Sequence, residues 1–125
     1  MPSMSQSILI ADDEPSILLS LQFLLQKAGF EVRLAKNGEE VIQALEQSVP
    51  DLILLDAMMP KRDGFDVCQT IRANPDWQRL PVIMLTAKSR DVERQKGMAL
   101  GATDYVTKPF STRDLVETVR KHLAA

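Results

Sequence analysis

The chain has 125 residues, the length of one domain: enough for one complete core, too little for a regulatory domain plus an effector. Its 45% apolar, 26% charged and 5% aromatic residues are those of an ordinary soluble globular protein and exclude disordered, collagen-like and membrane-embedded classes. Fifteen basic residues against seventeen acidic ones, a net charge of -2, argue against a binder of phosphate backbones, so no direct nucleic-acid contact is expected. The single cysteine, Cys68, excludes an internal disulfide and a cysteine-based zinc site, and it suits a reducing cytoplasm. No apolar run approaches the ~18 residues that span a bilayer, and MPSMSQS lacks the basic and apolar regions of a signal peptide. The expectation is a cytoplasmic protein without a membrane partner: a flexible N-terminal tail over residues 1–6, then one domain over 7–125.

Hydrophobic periodicity divides that domain into five short apolar runs alternating with amphipathic stretches. Ser7 to Ala11 reads as a buried strand. Pro15 then opens a helix whose Ile17, Leu18, Leu21, Leu24, Leu25 and Ala28 form one broad stripe, closed by Gly29. Glu31 to Ala35 alternates like an edge strand, and Asn37 with Glu40 has capping-box spacing before Val41, Ile42 and Leu45. Asp51 to Leu55 is apolar on both faces, as a central parallel strand should be. Pro60 and Gly64 precede a third helix carrying Phe65, Cys68 and Ile71.

Leu80 to Thr86 reads as the fourth strand, and Asp91 to Leu100 as a fourth helix weakened by Gly97 and stopped at Gly101. Asp104 to Thr107 makes a short fifth strand, interrupted by Lys108-Pro109. Ser111 and Asp114 then have capping-box spacing before a fifth helix with Leu115, Val116, Val119 and Leu123. Five strands alternating with five helices through short loops imply right-handed crossovers and a parallel sheet covered on both faces. The fold class is α/β, a three-layer doubly wound five-stranded parallel sheet.

In such sheets, sites form beyond the carboxyl ends of the strands. Asp12, Asp13 and Glu14 follow the first strand, Asp56 the third and Lys108 the fifth, while the fourth ends in Thr86. Taken singly, these have bland explanations: acids favoured by a helix dipole, a turn aspartate, a solvated lysine, a structural threonine. Together they gather at one end of the sheet, where unrelated surface residues would scatter. Carboxylates from two strands repel unless a cation or proton intervenes, and oxygen ligands of this kind suit Mg²⁺ with room for a phosphoryl oxygen. Asp56 then suits covalent nucleophilic phosphoryl transfer, with Lys108 as fixed positive charge and the Thr86 hydroxyl as a donor. His122, the only histidine, reads as a surface residue outside this site.

These residues lie in IADDE, LLDAMMPKRDG, LTA and GATDYVTKPF, four motifs in order. From about Gln6 to Leu123 the sequence resembles the receiver domain of bacterial two-component response regulators, including the stand-alone chemotaxis type. The resemblance implies a flavodoxin-like receiver fold with sheet order 2-1-3-4-5. It implies that Asp56 is the phosphoacceptor, served by a sensor histidine kinase or a histidine phosphotransfer protein. Mg²⁺ would be held by Asp13 directly, by Asp12 directly or through water, by Asp56 and by the backbone carbonyl of Met58. Thr86 and Tyr105 would form the switch pair, Lys108 would meet the phosphoryl group, and the Lys108-Pro109 bond would be cis. Output would pass through the surface of the fourth helix, fifth strand and fifth helix to a downstream protein, a fused effector domain or a second copy in a homodimer. Ala57 stands where the chemotaxis protein has tryptophan, and Met58 and Lys88 occupy the variable positions that tune water access. The chain would be a switch with self-catalysed phosphotransfer and autodephosphorylation, not a metabolic enzyme.

Three rivals fit less well. An aspartyl-phosphate hydrolase would carry D-x-D on one strand and room for a cap. An FMN module would have a Ser, Thr or Gly-rich loop where this chain has DDE. A receiver-like domain that works without phosphorylation would not need every one of these residues.

Overall fold

The computed structural model describes residues 6–87, 95–96 and 98–123. The elements are β1 (Ser7–Ala11), α1 (Pro15–Lys27), β2 (Glu31–Ala35), α2 (Gly38–Gln47), β3 (Leu52–Asp56), α3 (Gly64–Ala73), β4 (Val82–Ala87), β5 (Asp104–Lys108) and a C-terminal helix (Thr112–Leu123). All strand pairs are parallel and the order is β2-β1-β3-β4-β5, as the resemblance implies. Residues 1–5 of the expected tail lie outside the described residues. Gln6 is joined to the sheet, its carbonyl accepting from the Glu31 N–H at 3.0 Å.

Because strand side chains alternate between faces, each strand feeds two cores. Leu9, Ile53, Leu55, Val82 and Met84 pack with Val41, Leu45, Val67, Cys68 and Ile71 of α2 and α3. Ile8, Ile10, Leu52, Leu54, Ile83 and Leu85 pack with Leu18, Leu21 and Leu25 of α1 and Leu115 and Val119 of the C-terminal helix. This double burial is why β3 reads as a continuous apolar run.

The end signals act largely as read. Gly29 has φ of +101°, and the Gly29 and Phe30 N–H groups donate to the carbonyls of Gln26 and Leu25, a Schellman closure of α1. Asn37 accepts from the Glu40 N–H at 2.9 Å, while the Glu40 carboxylate reaches back to the Lys36 N–H at 2.8 Å, one residue earlier than a capping box requires. Arg33 of edge strand β2 donates to the Ala44 and Ser48 carbonyls at the end of α2, where a cation also suits the helix dipole.

Three boundaries differ from the periodicity. β3 runs one residue later than expected, because Asp51 instead bridges to β1: its N–H donates to Ser7 O and its carboxylate accepts from Ser7 N. β4 begins at Val82, after Pro81, which has no N–H for the ladder. β5 extends to Lys108, paired with Ala87, so the sheet itself presents the lysine. Of the expected fourth helix, Gln95, Lys96, Met98 and Ala99 are helical, and residues 91–94 and 97 lie outside the described residues. Arg72, in the last turn of α3, donates to the carbonyls of Gly101 (2.7 Å), Leu80 (2.7 Å) and Gln78 (3.1 Å) and to Thr103 Oγ1 (3.1 Å). It ties α3 to the entrances of both β4 and β5.

Candidate functional site

β1, β3 and β5 end at the same carboxyl end of the parallel sheet, with β4 between β3 and β5, and this order sets the crevice. The Asp12 N–H donates to Ala35 O at 3.1 Å, which holds Asp12 against the sheet after β1 has ended. Asp12 is fully buried, Asp56 is 6% exposed and Asp13 is exposed. An oxygen from each of these three carboxylates lies within 4.8 Å of the others. Lys108 enters from β5: its Nζ is 2.8 Å from Asp12 Oδ2 and 3.5 Å from Asp56 Oδ1.

Three carboxylates face one ammonium, and the imbalance registers on Asp56. Burial first, then the Asp12 charge, push its carboxyl up from 3.8 to about 7, against the opposing pull of Lys108 and the Met58 N–H. Burial would lower the Lys108 ammonium, but its hydrogen bond to Asp12 and the charges of Asp56, Asp12 and Glu14 outweigh this and raise it. A hard divalent cation fits this donor set, since all three ligands are oxygens and the excess charge is negative.

The backbone completes the frame. Glu14 N–H donates to Asp12 Oδ1 at 2.9 Å and Met58 N–H to Asp56 Oδ1 at 3.2 Å, each fixing one carboxylate oxygen. Gly64, the first residue of α3, packs directly on the end of β3: a Cβ there would overlap the Asp56 carbonyl oxygen. Its N–H donates to Ala57 O at 3.0 Å. Glycine at this position lets the loop return tightly to the sheet.

Thr86 is buried at 3% exposure on β4, one residue beyond Leu85, which pairs with Asp56. Tyr105 pairs with Met84, two residues before Thr86, so the expected switch pair shares a sheet face. Tyr105 is half-buried against the core of that face. The Lys108-Pro109 bond is cis. Met58 is 59% exposed beside Asp56, while Lys88 lies outside the described residues. His122 is half-buried, with Nε2 2.8 Å from Oδ2 of Asp104 at the start of β5, the opposite end of that strand from Lys108. It is outside the site, as read, but it has a half-buried ion-pair partner that a surface reading does not supply. The two orienting N–H groups, of Glu14 and Met58, had no signal in the sequence, because every residue but proline has one.

Beside Lys108 opens a groove of about 520 Å³ lined by Glu14, Ser16, Ile17, Ser20, Lys108, Pro109 and Phe110.

The family model of the response regulator receiver domain matches residues 8–120. The chain belongs to that family. A putative response regulator from Chloroflexus aurantiacus J-10-fl is 36% identical to this receiver domain, over 97% of this chain and 99% of that one, with a TM-score of 0.94. The chemotaxis response regulator CheY4 of Vibrio cholerae is 31% identical over 95% of this chain and 99% of its own, TM-score 0.90. The receiver domain of the sensor histidine kinase PA1611 from Pseudomonas aeruginosa PAO1, 29% identical over 97% and 99% with a TM-score of 0.90, has a magnesium ion coordinated in its active-site cleft. The receiver domain thus belongs to two-component phosphorelay signalling, whose receivers are switches. Among the described residues no helix is long and apolar enough to cross a membrane.

Proposed function

We propose that Asp56 accepts a phosphoryl group from a phosphohistidine on a sensor histidine kinase or a histidine phosphotransfer protein, in a Mg²⁺-dependent reaction. The observation that carries this reading is the convergence of the Asp12, Asp13 and Asp56 carboxylates on the Lys108 ammonium. An ionised Asp56 oxygen attacks phosphorus in line with the P–N bond, which breaks with its electron pair left on the donor imidazole. A Mg²⁺ ion held by Asp12, Asp13, Asp56 and the Met58 carbonyl would supply charge neutralisation between these acids and the transferring phosphoryl group.

The chain's own residues do the rest. Met58 N–H and Lys108 orient the Asp56 carboxylate for attack, and the groove formed by Ile17, Ser20, Pro109 and Phe110 seats the donor beside it. After transfer, Lys108 pairs with a phosphoryl oxygen, the Thr86 hydroxyl donates to another, and the Tyr105 ring moves into the space Thr86 leaves. Moving a two-state equilibrium from 1:99 to 99:1 takes about 5.5 kcal/mol, and charge-assisted bonds contribute ~1.5–3 kcal/mol each. Two to four such bonds therefore suffice. The fourth helix, β5 and the C-terminal helix then present an altered surface to a downstream protein, a fused effector domain or a second copy. The domain spans residues 7–125 and works in the cytoplasm, where a free Cys68 thiol persists. It lowers the barriers to its own phosphorylation and dephosphorylation but turns over no metabolite.

Incubation with acetyl phosphate and Mg²⁺ followed by intact mass measurement tests the reading. The wild type gains one phosphoryl group and Asp56→Asn gains none. An unmodified wild type, or an undiminished gain in the variant, overturns it.

A further inference from the structure

The loop between β3 and α3 contains an arginine that makes no contact with the acids and yet ties down the loop that frames them. Within residues 57–63 the Arg62 N–H donates to Pro60 O at 2.8 Å, closing a three-residue turn around Lys61. Lys61 has φ of +69°, a left-handed conformation that favours glycine and that a lysine keeps only when its surroundings impose it. Arg62 supplies that constraint from both sides. Its Nε lies 2.7 Å from Asp66 Oδ2 and its Nη2 2.5 Å from Thr70 Oγ1, both on α3. Its carbonyl oxygen and Cβ press on Gly38, the first residue of α2, where a side chain would have no room. The loop apex is thereby stapled to two helices. The same short loop carries the Met58 N–H that donates to Asp56 Oδ1.

We propose that Arg62 is a positioning residue for the phosphoryl-accepting site: its fork on Asp66 and Thr70 fixes the turn at Lys61, and through it the Met58 backbone that orients Asp56. Without the fork, the Lys61 turn relaxes toward ordinary φ values and carries the Met58 N–H and carbonyl away from the acids. The inference rests on the role proposed for Asp56.

The test compares wild type, Arg62→Ala, Arg62→Lys and Thr70→Val by Mg²⁺ titration calorimetry, acetyl-phosphate labelling and the unfolding midpoint in EDTA. Arg62→Ala should weaken Mg²⁺ binding about tenfold, the scale of outer-shell substitutions, and slow labelling at saturating Mg²⁺. Arg62→Lys can meet Asp66 but cannot fork to Thr70, so it should fall between the two and match Thr70→Val. A lowered unfolding midpoint with unchanged Mg²⁺ affinity and labelling in Arg62→Ala overturns the proposal. Should that variant not fold, Thr70→Val decides by the same criterion. Loss of Mg²⁺ binding and labelling in the wild type overturns instead the role of Asp56 on which the inference stands.

Discussion

The Lys108 ammonium lies 2.8 Å from Asp12 Oδ2, so the lysine is paired with a fully buried acid and only approaches Asp56, 3.5 Å away. Removing it leaves Asp12 charged, buried and uncompensated, which typically costs about 3 kcal/mol or more. Lys108→Met should therefore lower the stability of the Mg²⁺-free protein at pH 8 by about that amount, measured by urea denaturation. Adding Mg²⁺ should restore most of it, since the ion supplies the missing positive charge. Equal losses with and without Mg²⁺ would show that Lys108 acts through packing.

Asp56 predicts a pH dependence whose sign is opposite to that of most salt-bridged carboxylates. Its folded value of about 7 lies above its ordinary 3.8, so the fold favours the protonated form. That contribution is fully present below about pH 4 and is lost as pH rises through about 7. In EDTA, Asp56→Asn should match the wild type near pH 4 and exceed it by about 2–4 kcal/mol at pH 8. Denaturant midpoints of both proteins across this range check it, and parallel curves would sink the argument.

Met58 predicts the lifetime of the modified state. It is 59% exposed two residues beyond Asp56, and under the proposed function its apolar side chain would partly cover the phosphoryl group against hydrolytic water. Replacing it with asparagine should shorten the half-life of the phosphorylated protein several-fold, measured by loss of the added mass after the phosphodonor is removed. An unchanged half-life would assign control of hydrolysis elsewhere.

Arg72 predicts a structural cost without a chemical one. Its guanidinium serves three carbonyls and one hydroxyl around the entrances of β4 and β5, and Arg72→Ala would leave those acceptors short of donors. The expected loss is about 2–4 kcal/mol, with Mg²⁺ affinity unchanged because the acids lie at the other end of the sheet. Denaturation and calorimetry on the same preparation separate the two, and a weakened Mg²⁺ affinity would contradict this assignment.

Local pattern carried much of the fold. The stripe from Ile17 to Ala28, the two-sided run of β3 and the punctuation at Gly29 and Asn37 are legible because helix and strand periodicities are properties of neighbours in sequence. Even the strand-end acids could be placed on one side of the sheet, since parallel strands all point the same way. What pattern could not reach were boundaries set by distant partners: β3 begins after Asp51 because Asp51 is engaged by Ser7, and β5 includes Lys108 because Ala87 pairs with it.

The sequence by itself determined the alternation of elements, the identity of the acids and the lysine, and their collection beyond one sheet edge. Only the tertiary structure decided that Asp12 is buried while its neighbour Asp13 is exposed, that Lys108 pairs with Asp12 more closely than with Asp56, that His122 meets Asp104, and that Arg62 staples the loop after β3 to two helices. The choice of Lys108 between Asp12 at 2.8 Å and Asp56 at 3.5 Å turns on less than an ångström, between groups as far as 96 residues apart. Burial and Coulomb energies change steeply over such distances, whereas hydrophobic periodicity says nothing about them.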